Sequence, residues 1–182
     1  MSLRHIILGL LKYQPFSGYD LKQTIDASTR HLWHCDLPQI YRALDANLQA
    51  GWVSVEADDA SPRHRKLYSL TPAGEAALLD WLAEPLEVQP VRLPNLARLF
   101  FGRFAPLDQL RDQMHTYRSQ LQARLSVYQT VQARLQNAED LHPVDLKFWL
   151  ITVDNGLRLT EASLAWCEQT LNTLAEIERM QA

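Results

Sequence analysis

Between residues 39 and 74 the chain carries, in order, the amphipathic run Gln39-Ile40-Tyr41-Arg42-Ala43-Leu44, the triplet Gly51-Trp52-Val53, a polar turn, the cationic cluster Arg63-His64-Arg65-Lys66 and the run Tyr68-Ser69-Leu70-Thr71-Pro72-Ala73-Gly74. This order spells a helix, a hairpin with a basic tip and another helix. Few folds accept it. It is the layout of a winged helix-turn-helix, which sets one helix in the DNA major groove and a β-hairpin beside it. The expected fold is mainly α with a small β-hairpin wing: an N-terminal winged helix-turn-helix over 1–83, a linker over 84–94, and a C-terminal helical dimerisation and effector domain over 95–182.

The flanking elements follow from local chemistry. Leu3, Ile6, Ile7, Leu10 and Leu11 share one helical stripe, which predicts a first helix that is core and ends at Pro15. Ser17-Gly18-Tyr19-Asp20 reads as a capping box, with Ser17 accepting from the amide of Asp20 and the carboxylate reaching back. The helix it opens runs through Leu21 and Ile25 to about Leu32. Asp36 is the expected N-cap of the third helix, with Pro38 in its first turn and Gly51 as terminator. On that helix Leu37, Ile40, Tyr41, Leu44 and Leu48 are expected to face inward, and Gln39, Arg42, Ala43 and Ala46 outward. Residues near the start of a recognition helix reach base edges. Gln39 suits bidentate pairing with adenine, and Arg42 suits guanine or phosphate. Strands are expected over Trp52–Glu56 and Lys66–Leu70, joined by Asp58-Asp59-Ala60-Ser61-Pro62. Arg63, His64, Arg65 and Lys66 would then lie over phosphates or the minor groove. Thr71 caps a fourth helix that starts at Pro72 and continues through Ala76, Leu78, Leu79 and Leu82.

Charge limits how DNA can be held. The net charge is −3, and residues 1–83 carry eight Lys and Arg against nine Asp and Glu. An extended electrostatic groove cannot be built from this, so affinity has to come from local placement of cations, doubled in a dimer. The acidic balance also motivates a rival reading: a helical protein-interaction module that keeps the winged-helix shape without a DNA function.

Residues 3–83 resemble the PadR-like family of winged-helix transcriptional regulators. The resemblance rests on Ile7-Leu8-Gly9-Leu10-Leu11, Ser17-Gly18-Tyr19-Asp20-Leu21, Gln39-Ile40-Tyr41-Arg42-Ala43-Leu44, Gly51-Trp52-Val53 and Arg65-Lys66-Leu67-Tyr68-Ser69-Leu70-Thr71-Pro72-Ala73-Gly74, taken as an ordered set. It implies a DNA-binding repressor, usually dimeric, on an inverted-repeat operator in double-stranded DNA. It also brings Tyr19 and Tyr41 into the set of DNA-contacting positions, as phosphate contacts or as core. The C-terminal half resembles, more loosely, the virulence-activator-like domain of one branch of that family, through Leu99-Phe100-Phe101, Gly156-Leu157 and Ala165-Trp166. That implies dimerisation through C-terminal helices. Some relatives respond to phenolic acids and others to hydrophobic drugs.

In the C-terminal half, three prolines (Pro85, Pro90, Pro94) break the helical pattern before a segment over 96–104. Pro106-Leu107-Asp108 then opens a long helix to about Gln136. Leu107, Leu110, Met114, Tyr117 and Leu121 step by heptad spacing. Arg124 interrupts the seam, and Tyr128, Val131 and Leu135 resume it. Leu110, Met114, Tyr117, Leu121, Leu164 and Leu171 are the candidate dimer contacts. Pro143 opens a last helix whose apolar side is Leu146, Leu150, Val153, Leu157, Leu164, Leu171, Leu174 and Ile177, with a bend expected at Asn155-Gly156. A ligand pocket needs aromatic walls and a few polar groups. Phe100, Phe104, Trp149 and Trp166 are the candidate effector contacts, with Arg98, Arg103, His115 and Arg118 near them in sequence.

Other chemistries find little purchase. His31, His34 and Cys35 have no second Cys/His pair to complete a structural zinc site, so no metal or other cofactor is expected, and Trp33 is expected in the core. The chain has no Gly-rich phosphate loop, nucleophile elbow or His-Glu-x-x-His, and the reading is not an enzyme. It has no apolar run of transmembrane length, and Ser2-Leu3-Arg4-His5-Ile6 leads directly into an amphipathic segment. With two cysteines, Cys35 and Cys167, far apart and read as free thiols, a cytoplasmic protein with no membrane partner is expected.

Overall fold

A computed structural model describes residues 2–28, 33–58, 65–88 and 93–181. The chain divides into two compact units, Met1–Val88 and Gln89–Ala182.

The first unit opens with α1 (Ser2–Leu11). The helix ends four residues before Pro15, and its last turn closes through the amides of Lys12 and Tyr13 on the carbonyls of Leu8 and Leu10. Its buried face is Ile7, Leu8 and Leu11 with His5, while Leu3, Ile6 and Leu10 are only partly covered. A two-residue strand that the sequence pattern did not announce, β1 (Phe16–Ser17), precedes α2 (Gly18–Ser28). Two residues carry no periodicity of their own; pairing with a later strand makes them a strand. At the head of α2 the amide of Asp20 donates to Ser17 Oγ at 3.2 Å, and the Ser17 hydroxyl donates to the Asp20 carboxylate at 2.7 Å. The carboxylate thus returns to the cap's hydroxyl rather than to its amide. The expected extension of α2 to Leu32 lies outside the described residues beyond Ser28, as does His31. Cys35, not Trp33, fills the core position before the next helix: Cys35 is buried and Trp33 is exposed.

α3 (Leu37–Gln49) begins on a full capping box. Asp36 Oδ1 accepts from the amide of Gln39 at 2.7 Å, and Gln39 Oε1 accepts from the amide of Asp36 at 2.9 Å. It ends on Gly51 at φ +70°, where glycine carries no Cβ penalty. The amide of Gly51 donates to Leu48 and that of Trp52 to Asn47, the paired 5→2 and 6→1 bonds of a Schellman end. The inward stripe is Ile40, Ala43, Leu44 and Asn47. This corrects two placements: Ala43 is buried rather than outward, and Tyr41 is exposed rather than inward. Asn47 at the 3–4 spacing takes the role expected of Tyr41. It is a polar residue made tolerable by pairing: Arg4 Nε donates to its Oδ1 at 2.8 Å, and its Nδ2 donates to the Arg4 carbonyl at 3.2 Å.

β2 (Val53–Asp58) and β3 (Arg65–Leu70) form an antiparallel hairpin, with Val53 opposite Leu70 and Asp58 opposite Arg65. β1 adds to the other edge of β3, Phe16 opposite Tyr68, giving the order β1-β3-β2. The strands run further than expected, so Arg65 and Lys66 stand on the strand. Arg63 and His64 lie outside the described residues. α4 (Pro72–Ala83) starts at Thr71, whose hydroxyl accepts from the amide of Gly74 and donates to the Gly51 carbonyl. A Cβ on Gly74 would stand 1.9 Å from the carbonyl oxygen of Trp52. The helix runs through Ala76, Leu78, Leu79 and Leu82 as expected; Gly74 and Leu78 are its buried residues, and Leu79 and Leu82 are exposed.

In the second unit, α5 (Pro94–Phe100) and a 3₁₀ turn (Gly102–Phe104) lead into α6 (Leu107–Gln136) and α7 (Pro143–Gln181). The two long helices pack on each other. Leu110, Met114 and Leu121 bury against Cys167 and Leu174, with Tyr117, Leu164 and Leu171 at their edge. Further along, Tyr128 buries against Val153 and Leu157. Of the residues read as dimer contacts, Leu110, Met114 and Leu121 are thus buried inside the chain, while Tyr117, Leu164 and Leu171 are only partly covered; a helical hairpin can satisfy the same seam that a second subunit would. Leu125, not Arg124, continues the seam, and the Arg124 guanidinium lies 5.8 Å over the Tyr128 ring. α7 is one helix through Asn155-Gly156. Gly156 serves close approach instead of a bend: a Cβ there would stand 2.3 Å from the Tyr128 ring.

Gly74→Ala cannot be absorbed by a side-chain shift, because the atom it meets is backbone. Destabilisation of about 3 kcal/mol is expected, the upper end of overpacking costs. Urea denaturation of the full chain measures it, and a change below about 1 kcal/mol would contradict the close approach.

Candidate nucleic-acid interface

α3 presents Arg42 directly opposite its buried stripe, with Gln39 on one flank and Tyr41 on the other; all three are exposed. The helix is fixed from below by Arg4, whose Nη2 donates to the Ala46 carbonyl at 3.2 Å while its guanidinium lies 4.2 Å over the Trp52 ring. His5 stacks on Trp81 at 5.0 Å beside this group. The partly buried Arg4–Asn47 pair, backed by aromatics, ties α3 to α1 on the side away from its exposed face.

Beside that face lies a hollow of about 540 Å³ lined by Ser17, Gly18, Tyr19, Tyr41, Arg65, Lys66 and Tyr68. Four of the residues nominated from sequence, Tyr19, Tyr41, Arg65 and Lys66, meet here although they come from three elements. The head of α2 opens into it, and helix N-termini favour anions. Gly18 is what lets α3 come close: a Cβ there would stand 2.6 Å from the Tyr41 ring. Arg65 Nη1 lies 3.9 Å from Asp20 Oδ1, a long, exposed pair worth little by itself, so its cation remains available. Tyr68 is the residue that sequence reasoning passed over. It is 3% exposed, and its phenol is pushed up by burial first, then by Asp45 and Tyr41. The proton stays on at neutral pH, and the group is a donor. The signal for it was present, since the period-2 pattern places Tyr68 on the same strand face as Lys66.

Gln39 lies on the outward face of α3, as expected. Its carbonyl oxygen is engaged in the capping box, whereas pairing with adenine needs that oxygen and the amide nitrogen side by side at the base edge. Cys35 is buried in the core with Ile7, Leu21 and Ile40, and burial pushes its thiol up. Among the described residues no group of three or more His, Cys, Asp and Glu side chains could hold a metal ion.

The four effector candidates do not converge. Phe100 and Phe104 are 83% and 84% exposed. Trp149 and Trp166 sit seventeen residues apart on α7, about 25 Å along the axis. Short sequence distance in 96–104 did not become a wall, because α5 and the 3₁₀ turn are too short to bury both faces. Of the four, Trp166 lines a cavity. It meets Tyr117 edge-on at 6.4 Å, in a cleft with Asn95, Arg98, Leu99, Gln113 and Met114 that adjoins an open hollow of about 320 Å³. Among the described residues no helix is long and apolar enough to cross a membrane.

A wing of three strands beside a rigidly seated, outward-facing helix, with cations and phenols gathered at their junction, defines a winged-helix DNA-binding regulator. The profile of the transcriptional regulator PadR-like family matches residues 7–80, and that of the virulence activator alpha C-terminal domain matches residues 91–175. The chain thus carries a PadR-like domain followed by a virulence activator alpha C-terminal domain. It is 27% identical to the probable transcriptional regulator Rv1176c of Mycobacterium tuberculosis, over 97% of this chain and 99% of the relative. The fold is also that of Bacillus subtilis PadR, solved with operator DNA (TM-score 0.82, 23% identity, 95% of this chain and 98% of that one) and with p-coumaric acid (TM-score 0.80, 22% identity, 96% and 99%). The Vibrio cholerae virulence activator AphA superposes with a TM-score of 0.81 at 23% identity, over 96% of this chain and 99% of the other.

Replacing Arg65 and Lys66 together with Ala is expected to weaken DNA binding about equally for all sequences. The slope of log affinity against log salt should become shallower by about 0.9 for each phosphate that is no longer neutralised. Fluorescence anisotropy across a salt series reads this. An unchanged slope would remove both residues from the interface.

Proposed function

We propose that the chain is a homodimeric repressor that binds an inverted repeat in double-stranded DNA and is released by a small aromatic acid. The observation that carries this reading is the meeting of Tyr19, Tyr41, Arg65, Lys66 and Tyr68 around one hollow beside the exposed face of α3. With α3 in a major groove, Gln39 and Arg42 face base edges and the hollow faces the sugar-phosphate backbone. Arg63 and His64 are further candidates for phosphate contact on sequence grounds. Two subunits then read half-sites about 34–36 Å apart, or a multiple of that. Binding to DNA upstream of the coding region, at near-physiological salt and against excess unrelated DNA, tests it by anisotropy. Saturation at two subunits per site is expected. Complete loss to competitor there, and no enrichment from a random library, would sink the reading.

The dimer surface we assign is on the outer side of α7. Val144, Phe148, Ile151 and Leu159 recur at helical spacing on the side away from α6, and all are exposed. The helix thus has two apolar faces, and one is already used by α6. Exposed apolar stripes of this length mark association sites. Phe148→Glu with Ile151→Glu is expected to yield a monomer by sedimentation equilibrium, with helical content retained and operator affinity reduced at least tenfold.

The effector seat we assign is the Tyr117–Trp166 cleft with Arg98 at its edge. A guanidinium beside two rings suits a planar carboxylate, and p-coumaric acid, the compound bound to B. subtilis PadR, is the natural first probe. Such a ligand releases DNA only if it prefers a dimer geometry the operator does not. Arg98→Ala is expected to raise the p-coumarate concentration needed for release at least tenfold while leaving operator affinity intact. Release at unchanged concentration would move the seat elsewhere.

A further inference from the structure

We infer that Gln39, resting on the DNA-reading role given above, is a specificity-determining residue that turns its amide donors to the major groove while its oxygen is held at the helix cap, and therefore selects guanine over adenine at the base it meets. The amide nitrogen of Asp36 lies 2.9 Å from Gln39 Oε1. A backbone amide can only donate, so the side-chain oxygen accepts in this bond with one of its two lone pairs, and the Nε2 group, with both hydrogens, is the end left over. The reciprocal bond, from the amide of Gln39 to Asp36 Oδ1 at 2.7 Å, holds the two residues in register. The carbonyl is thereby turned back over the first turn of α3, and Nε2 with its two hydrogens is the part of the residue presented outward.

The base code decides what such a group can read. Guanine offers two acceptors, N7 and O6, on its major-groove edge. Adenine offers N7 beside an N6 amino donor. The adenine arrangement requires an amide that presents oxygen and nitrogen together. With the oxygen held against the Asp36 amide, its second lone pair is not set beside Nε2 at the base edge, and Nε2 itself would meet the N6 donor. Guanine accepts from both hydrogens of Nε2. Arg42, one helical turn further along the same exposed face, is independently suited to guanine, so the two residues together favour a purine-rich strand carrying guanine at both contacted positions.

The capping role also dictates the variants. Glutamate at the third helical position keeps the box, because its carboxylate accepts from the Asp36 amide as well as glutamine does. It removes the donors. Alanine removes both functions. Selection of bound sites from a random duplex library with the full-length wild type, Gln39→Ala and Gln39→Glu tests the inference. The position whose preference changes in Gln39→Ala is the one Gln39 meets. Guanine is expected there for the wild type, at about tenfold over adenine in direct anisotropy titrations. Gln39→Glu should lose that preference in favour of cytosine, whose N4 donates, while melting with the wild type. Amide hydrogen exchange of Asp36 should remain slow in the DNA complex. Adenine at that position, no position changed in either variant, or an Asp36 amide released on DNA binding would each overturn the inference while leaving the regulator reading intact. A wild type that enriches no sequence would overturn both.

Discussion

The first unit is organised around the main chain and side chain of one residue, Trp52. Its amide closes the end of α3 on Asn47, and its carbonyl accepts from Thr71 and abuts Gly74. Its indole receives the Arg4 guanidinium and leans on His5. Four elements, α1, α3, the wing and α4, are thus fixed to a single point. Each bond is modest, about 1 kcal/mol net. Because they share one residue, the angle between α3 and the wing cannot change without breaking several at once. A reading head made from a helix and a hairpin needs that.

An acidic chain that binds DNA is a problem of placement. The cations in the hollow come from adjacent positions on β3, and the phenols come from α2, α3 and β3. Their convergence depends on β1, the two-residue strand that fastens the head of α2 to the wing. Phenols and helix N-termini can donate to an anion without adding net charge, so a hollow lined by them suits a unit whose charges nearly cancel.

Much of this was legible in the sequence. Asp36, Gly51, Thr71-Pro72 and Pro106-Leu107 each announce a helix end by local chemistry, and all four ends are where that chemistry puts them. The wing could be read from Gly51-Trp52-Val53 and the strand before Thr71. What could not be read were facts that require a partner distant in the chain: β1, the burial of Asn47 and Ala43, and the exposure of Tyr41. The heptad seam of α6 shows the same limit from the other side. Periodicity reports that a helix face is covered, and it is silent on whether the cover is α7 of the same chain or another subunit. Likewise, aromatics close in sequence at 100–104 did not close around anything, since a seven-residue helix and a three-residue turn cannot hide two faces.

The unbroken length of α7 has a mechanical consequence. Thirty-nine residues make a rod of about 58 Å, with Gly156 and Tyr128 in contact near its first third and Cys167 near its second. Pivoted at one of these contacts, such a rod converts a tilt of a few degrees into a displacement of one to a few ångströms at its ends, by about 1 Å per degree over its full length. A small change of angle at one contact is therefore enough to move either end, with the packing around the pivot left as it is.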